Sequence, residues 1–340
     1  MSGRPGRIVR RIVAWACVSL LLVAAVLAYA NRQLISDAFA ANRYTPSAEM
    51  SLVVERIVPT TAGERIFFAS QPTLSTGEVF SEQCAQVDHS EGGHVLGCFA
   101  SGQIHLFDVT DERLSGIVEV TATHELMHAV FSRMSDTEQR EIAERLRGVY
   151  EELAATDPAL TERMSVYEHL SETGFANELH SVFATEVAVL PEWLEQHYAR
   201  WLADRAVVVR QFDAYHQVFA DLQQRGETLR AELDAMRSDI EARLASYEAD
   251  VEQYNSDHRL FAVRNEAYEF SDNPAEFYRL RADFDLRREA LEARRAQINA
   301  DIATYETKLQ ELNEIAALNS ELLQNLNSEL SEPSEAPNAG

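Results

Sequence analysis

Hydrophobic positions recur at steps of three and four residues through the second half of the chain, from about residue 206 to residue 326. This spacing is typical of helices that pack along a coiled-coil seam. A polar break with a proline at residues 271–274 divides the pattern, which predicts two long helices folded into an antiparallel hairpin. Charged residues fill the remaining positions and are expected to face solvent. We assign residues 206–328 to this coiled-coil hairpin and predict that residues 329–340 form a disordered tail.

The first half of the chain carries shorter patterns, which predict a mixed structure. Runs of apolar and aromatic residues at 65–70, 95–100 and 103–109 are typical of strands. An apolar face that begins near residue 114 and continues through residue 131 predicts a buried helix after the last strand. Together these patterns predict an α+β fold, in which residues 33–205 form a small domain with a short sheet.

The amino-terminal segment has the pattern of a membrane anchor. Four arginines among the first eleven residues precede an uncharged run of 19 residues, 12–30. A helix of about this length spans a bilayer, and the positive-inside rule keeps the arginines in the cytoplasm. We therefore predict a transmembrane signal anchor over residues 1–32, with the rest of the chain outside the cytoplasm. Residues 28–30, Ala-Tyr-Ala, also match a small-x-small cleavage site, so removal of the segment stays an alternative.

Charge and cysteine content narrow the classes of function. The formal net charge is −25, from 30 basic and 55 acidic residues, and this acidity excludes nucleic acid as the main partner. Cys84 and Cys98 flank a turn-rich stretch, and outside the cytoplasm such a pair is expected to form a disulfide. Two buried thiols, or a second metal site with His89 and His94, are the alternatives.

The clearest chemistry in the sequence lies at residues 124–128, His-Glu-Leu-Met-His. On a helix His124 and His128 share one face and can chelate one Zn²⁺ through neutral imidazoles. Glu125 projects about 100° away, where it reaches a water on the metal rather than the metal itself. This arrangement is typical of a hydrolase: the metal polarises the substrate carbonyl, and the carboxylate takes the proton of the attacking water. A surface His/Glu pair is the alternative, but the apolar neighbours argue against it.

A catalytic zinc site needs a third protein ligand and an open position. The candidates downstream are Glu178, Glu186 and His180. A donor for the oxyanion is needed as well. Tyr198 is our candidate and His197 is the alternative; both lie on a broad aromatic face that also suits core packing.

These residues resemble those of the zincin metallopeptidases. Residues 177–181, Asn-Glu-Leu-His-Ser, are similar to the Asn-Glu-x-x-Ser segment of thermolysin-like gluzincins, in which the glutamate is the third ligand. The resemblance implies that Glu178 completes the zinc site. It also implies that residues 103–109 form the edge strand along which substrate binds as an added strand.

The chain departs from that family at one position. Gluzincins commonly carry an aspartate four residues after the ligand glutamate, where it orients the first histidine. Val182 occupies this position here, so the role would pass elsewhere, with Glu186 as the candidate.

The sequence therefore predicts a membrane-anchored, extracytoplasmic zinc metallopeptidase of gluzincin type that acts on a peptide or protein. The alternative is a cell-envelope coiled-coil scaffold or adaptor whose metal site is structural or vestigial. The hairpin carries no catalytic pattern and offers a surface for a protein partner. Its seam lies within one chain, so dimerisation is not implied.

Overall fold

The computed structural model describes residues 5–85, 87 and 95–327 of the chain. This part is mostly helical, with a small three-stranded sheet and a long pair of helices that follows it, consistent with the predicted α+β class. The tail predicted at residues 329–340 and the histidines His89 and His94 lie outside the described residues.

The helices before the sheet are α1 (Pro5–Ala30), α2 (Arg32–Ala41), α3 (Ala48–Ile57) and α4 (Thr61–Ala69). The sheet region contains β1 (Thr73–Ser75), α5 (Gly77–Cys84), β2 (Gly97–Ala100), β3 (Gln103–Phe107) and a 3-10 turn at Glu112–Leu114. The helices after it are α6 (Ile117–Phe131), α7 (Asp136–Ala154), α8 (Pro158–Ser165), α9 (Glu172–Thr185), α10 (Glu192–Tyr198), α11 (Arg205–Glu266) and α12 (Pro274–Asn325).

Within the described residues, no single helix has both the length and the apolar character needed to cross a bilayer. Trp15–Ala30 and Arg32–Ala41 meet this requirement only as a pair, and they are bent by 67° at the residue between them. The anchor over residues 1–32 stays a prediction.

The sheet has the order β1-β3-β2, with β3 parallel to β1 and antiparallel to β2. The strands predicted at residues 95–100 and 103–109 are confirmed as β2 and β3. The expectation that the second of them forms the edge is wrong, because β1 covers its other side. The edge strand that borders helix α6 is β2 instead.

The strand predicted at residues 65–70 is also wrong, since this segment belongs to helix α4. Thr60 caps the helix, its hydroxyl accepting from the backbone N–H of Gly63. Gly63, Ile66 and Phe67 are buried at helical spacing. A Cβ on Gly63 would come within 2.2 Å of the Trp201 carbonyl oxygen, so this face of α4 packs too closely for any larger residue.

Helix α6 is at the centre of the core around the sheet. Twelve of its fifteen residues are buried, including four polar ones: Glu119, Thr123, His124 and Glu125. Buried polar groups cost free energy unless they are bonded. Glu119 pairs with Arg56 at 2.8 Å, and the Thr123 hydroxyl donates to the Glu119 carbonyl at 2.9 Å. His124 and Glu125 border a cleft together with His128.

The chain divides into two compact units. One comprises the described residues of Met1–Val218 and Leu323–Gly340, and the other comprises Phe219–Leu322. In the second unit α11 and α12 run antiparallel, because Glu232 pairs with Lys308 at 2.7 Å whereas Asp257 pairs with Arg287 at 2.9 Å. The predicted break at residues 271–274 is confirmed, and the proposed boundary at residue 205 stays a prediction.

The predicted disulfide between Cys84 and Cys98 is confirmed. It joins the end of α5 to β2 and forms, with Phe80, Val95 and Phe107, a small apolar cluster. The edge strand is therefore covalently joined to α5.

Candidate metal centre

Helix α6 presents two imidazoles to one point. The rings of His124 and His128 lie with their centroids 4.7 Å apart and their planes at 76°. Both side chains are nearly buried, with exposed fractions of 10% and 11%. The Nε2 atoms of both rings lie 3.6 Å from the same oxygen, Oε2 of Glu178. The structure therefore brings together the three residues that the sequence analysis favoured as ligands.

Helix α9 supplies Glu178. The helix is capped by Ser171, whose hydroxyl accepts from the backbone N–H of Gly174, and it packs along α6. Burial raises the pKa of Glu178, but the positive charges available at His128, His124 and Arg163 outweigh it and lower that pKa to about 2. A carboxylate that stays ionised over the whole physiological range is a suitable metal ligand.

Glu125 lies beside this group. The ligand atoms of His124, Glu125 and His128 all lie within 4.8 Å of one another. Glu125 and Glu178 are therefore both candidates for the third metal ligand. We assign the ligand role to Glu178, because its oxygen is equidistant from both ring nitrogens. Glu125 follows His124 directly and projects about 100° from it round the helix, which leaves it beside the ligands.

Ser181 is the outer partner of the site. Its buried hydroxyl lies 3.3 Å from Nδ1 of His128. A hydrogen bond at Nδ1 fixes the ring so that Nε2 faces the metal position. Glu186, the expected outer partner, instead pairs with Arg163 at 3.3 Å, whereas Ser181 contacts the second histidine.

His180 and Tyr198 face away from the centre. The imidazole of His180 is fully buried and its Nε2 lies 2.9 Å from Nε2 of His197. Burial, together with the nearby His197 and His128, lowers the pKa of His180 well below its ordinary value. The Tyr198 hydroxyl donates to the His180 carbonyl at 2.8 Å and is buried in the core. The prediction of Tyr198 as oxyanion donor is therefore wrong, and His180 is not placed as a ligand.

Two cavities meet at the centre, and both are bordered by His124, Glu125 and Gly97. The first, of about 200 Å³, also contains His128 and Glu178. Its remaining lining is mostly apolar: Val87, Val95, Cys98, Phe99, Tyr167, Leu170 and Asn177. The second is about 300 Å³, and its other residues are Leu96, Val120, Thr121, Arg163, Glu186, Phe212, Tyr215 and His216.

Sequence reasoning missed several of these residues. Tyr215 and His216 border the second cavity from the first turns of α11, a segment assigned to the hairpin because of its helical periodicity. Gly97 was missed because a glycine in a strand carries no chemistry of its own. The signal was its position at the start of β2, since a glycine inside a strand marks a close backbone approach.

The donor set fits a zinc ion. Two imidazoles and one carboxylate form a common catalytic zinc set. Ligands about 2.1 Å from a tetrahedral ion lie about 3.4 Å apart, close to the 3.6 Å from the Glu178 oxygen to each ring nitrogen. Comparisons with protein-family models, with curated proteins and with solved structures found no match for this chain.

Proposed function

We propose that this protein is a zinc metallopeptidase, anchored in a membrane by its amino-terminal helix and acting outside the cytoplasm. The observation that carries the proposal is the convergence of His124, His128 and Glu178 on one point, with Glu125 beside them in a cleft. Two histidines and an ionised carboxylate hold the metal. The zincin resemblance of the sequence supports the same assignment.

Glu125 is the proton carrier. A zinc ion held by His124, His128 and Glu178 would polarise the substrate carbonyl and would lower the pKa of the attacking water. Glu125 accepts the proton from that water and delivers it to the amide nitrogen of the leaving group. Its side chain lies between α6 and β2, where Gly97 leaves it just enough room. This packing keeps the carboxylate facing the cleft.

Tyr215 and His216 replace Tyr198 as candidate donors to the developing oxyanion. Both border the second cavity together with His124 and Glu125. The His216 ring stacks on Phe212 with centroids 5.2 Å apart, which fixes its orientation. A preorganised O–H or N–H donor of this kind stabilises charge that develops in the transition state.

The substrate we propose is an extended peptide that binds along β2. One side of this strand pairs with β3, and its residues Gly97–Phe99 border the first cavity. Strand addition uses backbone hydrogen bonds and needs little sequence selectivity. Because both cavities are bordered by His124 and Glu125, we propose that the peptide extends from one into the other, which favours cleavage of internal bonds.

Digestion of a peptide library by the full chain tests this function. The wild-type protein is expected to cleave internal peptide bonds in the presence of zinc. Glu125→Gln is expected to retain zinc and to lose about 10²–10⁴-fold in rate. Glu144→Gln, an exposed glutamate on α7, is the matched control and keeps wild-type activity. Undiminished cleavage by the Glu125 variant rejects the mechanism.

The long helix pair supports a second candidate, an envelope scaffold. Interhelical ion pairs such as Arg243–Asp301, at 2.6 Å, join its antiparallel helices. Its described residues contain no metal-ligand cluster. A scaffold predicts that cells carrying Glu125→Gln behave as wild type. The metallopeptidase predicts the phenotype of a null.

A further inference from the structure

Helix α2 is held to the metal-bearing unit by a buried ion pair. Asp37 on its inner face accepts from the Arg133 guanidinium at 3.1 Å and from Gln33 at 3.1 Å. The same guanidinium donates to the Ala129 carbonyl at 2.8 Å, in the last turns of α6. The inner face also packs against α4. The orientation of α2 is therefore tied to the helix that carries both histidines.

The outer face of α2 is apolar and exposed. Leu34, Ile35 and Phe39 have exposed fractions of 48%, 50% and 68%. This face continues from α1, where the described side chains are mostly apolar and are exposed on every side of the helix. Large ones include Trp15, Leu20, Leu21, Leu22, Leu27 and Tyr29. A helix that is apolar all round needs a protein core or lipid around it.

We propose that the outer face of α2 lies in the surface of a lipid bilayer, with Leu34, Ile35 and Phe39 inserted among the acyl chains. If α1 is the predicted anchor and crosses along the membrane normal, the 67° bend directs α2 close to the membrane plane. The bend carries the residues expected at the boundary: the Arg32 guanidinium lies 4.7 Å over the Tyr29 ring. An amphipathic helix of this type binds through its apolar face.

This placement has a consequence for the substrate. The Asp37–Arg133 pair fixes α6 relative to α2, so the cleft is held at a constant height above the bilayer. Its substrates are then peptide segments presented at that fixed distance from the bilayer. The proposal rests on the anchor of the proposed function but not on the metal chemistry.

Tryptophan quenching in nanodiscs tests it with the full chain. In a Trp15→Phe background, Phe39→Trp is compared with Val189→Trp, which replaces an apolar residue exposed to 80%. Trp193 and Trp201 are common to both variants. With brominated acyl chains in the disc, we expect the added fluorescence at residue 39 to fall by half or more and that at residue 189 to stay unchanged.

Two results would overturn the proposal, and they distinguish its failure from a failure of the predicted membrane anchor. Equal, weak quenching at residues 39 and 189, with strong quenching of Trp15 in the wild-type chain, means that α1 is in lipid but something else covers α2. Unquenched Trp15 means that the anchor itself is wrong. Neither result bears on zinc binding or on hydrolysis by Glu125.

Discussion

Gly97 lies directly against Glu125. A Cβ built on Gly97 would come within 3.0 Å of Oε1 of Glu125, and within 2.5 Å of Cγ2 of Thr121. The β-branched Thr121 cannot turn away cheaply, because its rotamer on a helix is restricted. The glycine therefore sets the distance between the edge strand and the base of the proposed reaction.

Replacing Gly97 by alanine is expected to push β2 away from α6. Overpacking of this kind costs about 1–3 kcal/mol of folding free energy, and the displaced Glu125 is expected to lower the hydrolysis rate while zinc stays bound. Urea unfolding and zinc analysis measure both effects. Gly148→Ala is the control, since nothing lies within 4 Å of that Cβ and alanine favours the helix by about 0.5–1 kcal/mol. A Gly97 variant as active and stable as wild type contradicts the packing argument.

Ser181→Ala is expected to weaken zinc binding by about 10–100-fold, because the hydroxyl orients the ring of His128 through Nδ1. Competition with a chromophoric chelator measures the affinity. Ser132→Ala, which loses only a hydroxyl bonded to the Ala129 carbonyl, is the matched control and should bind zinc as wild type does. Equal affinities for the two variants would show that the Ser181 contact has no role in the site.

The stability of the metal-free protein is expected to fall as pH drops below 6.5. Burial, with Arg200 and Arg145, lowers the pKa of His197 from its ordinary value of 6.5 to about 4, and burial also lowers the pKa of His180 well below its ordinary value. Between these pH values the unfolded chain binds protons that the folded chain does not. The free energy of unfolding therefore falls by up to about 1.4 kcal/mol per pH unit for each histidine. Denaturant unfolding with a chelator present follows this loss.

His197→Gln is the test of that assignment. Removal of the imidazole is expected to flatten the pH dependence between 6.5 and about 4, whatever it does to the stability at neutral pH. Below 4.5 a further loss is expected as Glu178, whose pKa is lowered to about 2, is protonated first in the unfolded chain. An unchanged slope in the His197 variant would assign the pH dependence to other groups.

Loss of the disulfide is expected to affect both stability and hydrolysis. The bond closes a loop with a sequence separation of 14, for which about 2–4 kcal/mol of stabilisation is typical. Cys98 also borders the first cavity, so freeing β2 is expected to lower the hydrolysis rate. The double variant Cys84→Ser, Cys98→Ser is compared with Cys17→Ser, which removes an exposed free thiol. Equal unfolding midpoints for the two would be inconsistent with a structural role.

Sequence patterns correctly predicted the elements that depend on neighbouring residues along the chain. The buried helix around residues 124–128 and the break before α12 follow from apolar spacing and from a proline. The strand predicted at residues 65–70 failed because aromatic and β-branched content outweighed a cap at Thr60 and buried positions three and four residues apart. Strand content alone could not separate these alternatives.

The arrangement of the centre depends on packing between distant segments. β3 is central because a parallel strand of three residues pairs with it, and so short a strand has no visible alternation. Glu178 approaches the histidines because α9 packs along α6, which the resemblance suggested but no local pattern encodes. Tyr198 was expected in the site because its aromatic face suits both a catalytic site and core packing. The side chain is in fact buried in the core.

Zinc analysis of the purified full chain tests the central claim most directly. The wild-type protein and Glu186→Gln are predicted to bind one zinc ion each, whereas Glu178→Gln should need a free zinc concentration about 100-fold higher or more. Glu186 is the matched control because it is a glutamate that borders the second cavity but pairs with Arg163. A wild-type chain that binds no zinc, or a Glu178 variant that binds it equally well, would contradict the proposed centre.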